Sequence, residues 1–197
     1  MSRSDSIFPG TFLWLAILAS STVCAAETQT WQLDPNHTAA QFAVRHMGIS
    51  TVRGVFEKTS GTVVFDPANP AKTAIDATID ATTLNTRVRM RDNDLRGPHF
   101  LDVAKYPTIT FKSTQAGVGK LKVTGDLTIH GVTKQVVLDV DGPTQEVRDP
   151  MGNLRIGANA TTKINRNDFG ITTMPGVVGE EIQIVLDVKL TRRPPAQ

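Results

Sequence analysis

The chain has 197 residues, with 21 Lys and Arg against 19 Asp and Glu, a formal net charge of +2, and 40% hydrophobic but only 6% aromatic residues. That near balance, with no clustered positive charge, excludes the footprint of a nucleic-acid binder, while the length fits one domain large enough to build a core. The single cysteine, Cys24, excludes a disulfide framework within the chain.

The first segment reads as an export signal. IFPGTFLWLAILASSTVCAAE has one nearby cation, Arg3, then an apolar run, then small residues. The run from Phe12 to Ala19 is too short for a bilayer, which needs about 20 apolar residues, so removal is expected rather than anchoring, with cleavage after Ala26. Lipid attachment at Cys24 is disfavoured by Val23 before it. Residues 27–197 are then expected to work in the periplasm as one domain without stable membrane insertion.

Period-two alternation, the mark of half-buried strands, follows. Strands are expected at 30–33, 40–46, 54–58, 62–65, 73–83 and 107–113. In the second of these Ala40, Phe42, Val44 and His46 share one face, so His46 looks inward. KLKVTGDLTI, 120–129, puts Leu121, Val123, Leu127 and Ile129 on one face, and His130-Gly131 turns tightly into a partner strand at 132–140. Strands at 154–164 and 182–190 alternate likewise, and Asp76 and Asp80 fall on an outer face. Turn signals separate these runs, among them Asp34-Pro35-Asn36, Ser60-Gly61 and Asp141-Gly142-Pro143. Short strands with one wet face and no helix-length crossover imply an all-β antiparallel barrel or sandwich.

The period disappears between Leu84 and Pro107, where RMRDNDLRGPHF concentrates charge. A short helical turn over 92–96 is expected, stopped by Gly97-Pro98. As structure this is a solvated crossover; as function it is a lid, with Leu95, Phe100 and Leu101 pointing into a cavity and Arg87, Arg89, Arg91 or Arg96 free for a polar head group. Further on, Asn165-Arg166-Asn167-Asp168 makes a polar corner and Phe169 returns to the apolar side. Gly170 with Met174-Pro175-Gly176 builds a second flap, in which Met174 is an adaptable apolar contact.

No catalytic constellation emerges: there is no G-x-S-x-G elbow, no phosphate loop and no cysteine nucleophile after the leader. His37, His46, His99 and His130 lack metal-ligand spacing, so no metal or other cofactor is expected.

In order along the chain, WQLDPNHTAAQFAVRHMGISTVRGVFEKTSGTVVFD, RMRDNDLRGPHFLDVAKYPTITF, GDLTIHGVTKQVVLDV, INRNDFGI and VVGEEIQIVLDVKL resemble the YceI-like family, lipocalin-like periplasmic proteins that bind polyisoprenoids and other long lipids. The likeness runs from about Thr30 to Leu190. It implies an eight-stranded antiparallel barrel with a short helical lid segment, a lipid tail in the lumen and the head group at the mouth. Phe42, Phe56, Phe111 and Phe169, with Phe100 from the lid, match tail contacts, beside Val44, Leu95, Leu101 and Met174. His46, Arg91, Asp92, Arg166, Asn167 and Asp168 fall in the family's recurrent motifs and stand for head-group contacts. A homodimer is a reasonable assembly by the same likeness. The lid departs from the family pattern: Asp94 precedes Leu95 where His is common, His99 stands in place of an acid, and Leu101 replaces a second aromatic. Head-group identity is thereby left open.

Three functions fit: a lipid carrier without chemistry, an enzyme acting on a bound lipid or quinone with His46 as base and Arg91 orienting an anion, and a filled barrel serving as a stress-related interaction module.

Overall fold

Each of the runs that alternate in the sequence becomes a wall of one closed sheet. The computed structural model describes residues 29–66, 69–117 and 122–193; the expected leader and Leu121 lie outside the described residues. Twelve strands and one α-helix, with three short 3₁₀ turns between them, follow in order among them: β1 (Gln29–Leu33), β2 (Ala39–His46), β3 (Ser50–Phe56), β4 (Thr59–Phe65), β5 (Ala74–Asp80), β6 (Leu84–Asn85), α1 (Arg89–Arg96), β7 (Thr108–Ala116), β8 (Lys122–Ile129), β9 (Val132–Asp141), β10 (Val147–Arg148), β11 (Leu154–Asn165) and β12 (Val178–Arg192). No helix among the described residues is long and apolar enough to cross a membrane.

The strands are antiparallel throughout, and the ladder β1-β4-β5-β7-β8-β9-β11-β12 returns to β1, closing an eight-stranded barrel. Closure removes the exposed edges that an open sheet would present. Three of the staves are longer than any one of their strands. β1 and β2 lie end to end along β12, with Leu33 opposite Leu190 and Ala39 opposite Asp187. The Asp34–Thr38 turn steps out between them, and the Asp34 N–H donates to the Lys189 carbonyl at 2.8 Å. β3 and β4 line up in the same way against β2 and β1, and β6 and β5 against β3 and β4.

The strand expected over 73–83 is broken in the structure. β5 ends at Asp80, whose carboxylate accepts from the Thr82 N–H at 3.0 Å and starts a 3₁₀ turn over Ala81–Thr83. A short acidic side chain offers the backbone a local partner in competition with the ladder. The third stave resumes as β6, which leads to the upper end of the barrel, where the β2–β3 hairpin, α1 and the segment before β12 also gather. The helix starts earlier than expected, at Arg89, because the buried Asp92 carboxylate reaches back to the Thr86 N–H at 2.8 Å and anchors the approach; the Gly97 N–H closes the other end on the Asp94 carbonyl. Likewise β3 starts at Ser50, four residues before the expected strand, continuing the ladder on β2 up to the His46–Ser50 pair.

Candidate functional site

Inside the barrel lies a cavity of about 500 Å³, well within the roughly 300–1,000 Å³ of small-molecule pockets. Its wall is made by alternate residues of every stave, for example Phe42 and Val44 of β2, Leu127 of β8, Ala160 of β11, and Ile184 and Leu186 of β12. An eight-stranded barrel can be filled by its own side chains or left open for a ligand. Two features leave this one open. Ala40, Ala77, Ala158 and Ala160 take lumen positions that a larger side chain would fill. Two aromatic rings also fold against glycines: a Cβ on Gly54 would stand 2.5 Å from Phe42 Cε1, and one on Gly125 would stand 2.4 Å from Phe111 Cζ. Each glycine gives its neighbour's ring a place on the wall, where a side chain would push it into the lumen.

Charge along the cavity is confined to one end. The ionisable side chains lining it are Arg45, His46, Arg91, Asp94 and Arg166, contributed by the top of β2, α1 and the turn after β11. The polar residues lining the remainder are threonines and Gln41. α1 and the segment after it cover this mouth, with Leu95, Phe100 and Leu101 facing the cavity and packing against the core that contains Phe56, Ile109 and Leu127. The opposite flank is closed by Phe169. The β9–β11 ladder extends only from Asp139 to Asp141 on β9, and Phe169, 1% exposed, packs with Leu127 and Ile129 where the two strands part.

All nine residues expected at the tail line the cavity: Phe42, Val44, Phe56, Leu95, Phe100, Leu101, Phe111, Phe169 and Met174. The residues expected at the head group divide. His46, the last residue of β2, and Arg91 both line the mouth. Arg91 donates from Nε to Thr86 Oγ1 at 2.8 Å and from Nη2 to the Thr86 carbonyl at 2.9 Å. Guanidinium carries five N–H donors, so three remain for another acceptor.

Asp92, Asn167 and Asp168, in contrast, do not line the cavity. Asp92 is buried and spends its carboxylate on Thr86. The Asn167 N–H is held by Asn165 Oδ1 at 2.9 Å, and Asp168 points to solvent. Arg166 does reach the cavity wall but is 4% exposed and already engaged: Nε donates to Gly179 O at 3.0 Å, Nη1 to Ile171 O at 2.5 Å and Nη2 to Val178 O at 3.0 Å. The Ile171 carbonyl, on the segment before β12, and the first two carbonyls of β12 are thus gathered on one cation. The polar corner is a clamp for that segment.

Sequence reasoning missed Leu84, Asp94 and Ile171 as lining residues. All three sit where strand alternation has ended, so no period reports their direction; Asp94 left only its departure from the family pattern as a signal.

The profile of the YceI-like domain matches residues 31–190. The chain belongs to the YceI-like family. It is 37% identical over 183 residues to Protein YceI of Escherichia coli O157:H7, covering 91% of this chain and 93% of that one. Among solved structures, the YCEI protein of Campylobacter jejuni shares 31% identity and a TM-score of 0.63 over 76% of this chain and 90% of its own. A polyisoprenoid binding domain from Saccharophagus degradans, at 16% identity, shares the fold with a TM-score of 0.59 over 83% of this YceI-like chain and 98% of its own.

Proposed function

We propose that this YceI-like protein is a periplasmic carrier that holds the tail of an isoprenoid-type amphiphile in its lumen, leaves the head group at the mouth near His46 and Arg91, and does no chemistry on it. The observation that carries the reading is the partition of the cavity: about 500 Å³ walled by apolar side chains, with every charged lining residue at one end. A hydrocarbon thread with a polar terminus matches that pattern. The S. degradans domain, described as polyisoprenoid binding, has the same fold and supports the choice of ligand class.

The energetics are sufficient. Each buried methylene is worth about 0.8 kcal/mol, so a tail of ~20 carbons offsets association costs of roughly 4 to 15 kcal/mol. No polar recognition is needed along the tail, which accords with the absence of charge from the deeper wall.

Native mass spectrometry of protein purified from a periplasmic extract under mild conditions tests the proposal. A co-purified lipid, or uptake of an added polyprenol after delipidation, is expected, on a chain whose N-terminus is Glu27. Repeated recovery of lipid-free protein that takes up no polyprenol overturns it.

A further inference from the structure

Around one side of the mouth, five large apolar side chains stand out in solvent. Met47 and Ile49, on the β2–β3 hairpin, are 58% and 80% exposed; Val88 and Met90, at the start of α1, are 43% and 77% exposed; Met174, before β12, is 46% exposed. Their elements are neighbours. β3 pairs with β2 on one edge and with β6, which leads into α1, on the other. The Met47 N–H donates to the Val177 carbonyl at 2.7 Å, and the Val177 N–H to the Met174 carbonyl at 3.2 Å. The elements that carry the five therefore stand side by side at one end of the barrel, as one arc. Single exposed apolar residues are ordinary, whereas several gathered at one end point to an interaction surface.

Backbone strain coincides with the arc. Non-glycine residues with positive φ are Met47 (+53°), Arg87 (+68°), Asp102, His130 and Met174 (+54°) among the described residues, so three of the five lie here. Side chains resist that conformation, and such positions usually go to Gly or Asn. Met174 has the cavity on one side, but Met47 at the hairpin tip has no place in the core, and strain of this kind gathers at functional sites. The charge is complementary to one class of partner. Arg45, Arg87 and Arg89 are exposed on the arc with Arg53 just below, against the acids Asp94 and Glu180 on it and Glu57 below, while Glu181 is paired with Lys163.

Apolar tips backed by arginines are the composition of a surface that enters the interface of an anionic membrane. We infer that this arc docks the mouth of the barrel onto an anionic lipid bilayer, with Ile49 and Met90 entering the interface and Arg87 and Arg89 meeting phosphate head groups. The purpose of the docking, transfer of ligand through a mouth held against its source, rests on the carrier reading; the docking itself is tested separately.

The test is co-sedimentation of delipidated protein with mixed phosphatidylcholine–phosphatidylglycerol vesicles and with pure phosphatidylcholine vesicles. Wild type is expected to bind the mixed vesicles more tightly than the neutral ones, and less tightly as salt is raised. Replacing Ile49→Ser together with Met90→Ser should weaken partition by about tenfold or more, Arg87→Gln with Arg89→Gln should remove the preference for phosphatidylglycerol, and Met151→Ser, at the β10–β11 turn, should change nothing. Neither Ile49 nor Met90 lines the lumen, so the double serine variant should still take up polyprenol from detergent. Wild type that ignores both vesicles, or a double serine variant that sediments as wild type does, overturns the inference. A dimer in solution that only the double serine change dissociates, with no vesicle binding, overturns it too and gives the arc to a second copy of the chain. Vesicle binding without polyprenol uptake leaves the docking standing and counts against the carrier reading.

Discussion

The carboxylate of Asp92, in the first turn of α1, accepts from both the backbone N–H and the hydroxyl of Thr86, and both residues are buried. One side chain thereby ties the helix that covers the mouth to the end of β6. Arg91 grips the same Thr86 from the lumen side through its hydroxyl and carbonyl. Asp92→Ala would leave a buried N–H unpaired, which costs about 1–3 kcal/mol. Urea unfolding should report a loss of that size, and amide exchange should quicken from Thr86 through α1. If the variant instead kept its stability and lost only ligand, Asp92 would be a head-group contact after all.

Arg166 holds three carbonyls from three different nitrogens, a task suited to the guanidinium fork and not to an ammonium. Arg166→Met should lower the unfolding free energy by ~2–4 kcal/mol, the cost of charge-assisted hydrogen bonds lost and acceptors left dry. Arg166→Lys should recover only a minor part of it. Denaturation of both variants against wild type decides this, and a fully stable lysine variant would show that charge matters here without geometry.

Ile184 faces the cavity and is only half-buried although it lies within the barrel wall, because the space in front of it is open. A larger side chain there should enter the lumen with little of the strain that overpacking causes in a dense core. Ile184→Trp is expected to fold with an unchanged or higher melting temperature and to lose polyprenol uptake at least tenfold. Equal uptake by the variant would place the lipid elsewhere. Phe42→Asp and Phe111→Asp should also abolish uptake, by setting a charge against the tail.

Away from the mouth, Arg155 joins two turns, reaching Asp34 Oδ2 at 2.8 Å and Asp149 Oδ2 at 2.9 Å. Burial pushes the Asp149 carboxyl up, but hydrogen bonds from Asn153 and Arg155 and the Arg155 charge outweigh it and bring the pKa down to about 2. Asp34 is lowered as well: burial opposes, and the Asn36 N–H, His37 and Arg155 prevail. An unfolded Asp titrates near 3.9. Since both folded values lie below the unfolded one, these carboxylates stabilise the fold above about pH 4, and that contribution is lost as pH falls from there toward about 2. The melting temperature should drop across this window, and Arg155→Met should lower it at neutral pH while flattening the acid slope. An unaltered slope would remove Arg155 from the account.

Where both sides of a strand face different solvents, its residues announced their own direction. β8, β9, β11 and β12 alternate because one face meets water and the other the lumen, so Leu127, Leu138, Ile156 and Ile184 were legible before any coordinates. The inward direction of Phe42, Val44 and Phe111 followed from the same rule, whereas Leu95, Phe100, Leu101, Phe169 and Met174, outside the alternating runs, stood on the family likeness and the lid and flap readings. The head-group set was less legible, because the motifs that carry Asp92, Arg166 and Asn167 reflect demands of chain geometry as readily as ligand contact, and only their hydrogen-bond partners separate the two.

The order of residues alone therefore settled the all-β class, most strand positions and the apolar character of the interior, since hydration of alternate side chains is a local property. Whether that interior is hollow was settled by packing in three dimensions. It depends on Gly54 meeting Phe42 and Gly125 meeting Phe111 across neighbouring strands, and on Leu33 finding Leu190 at the far end of the chain to close the ring. Register and closure are relations between distant segments, and no local pattern of hydrophobicity encodes them.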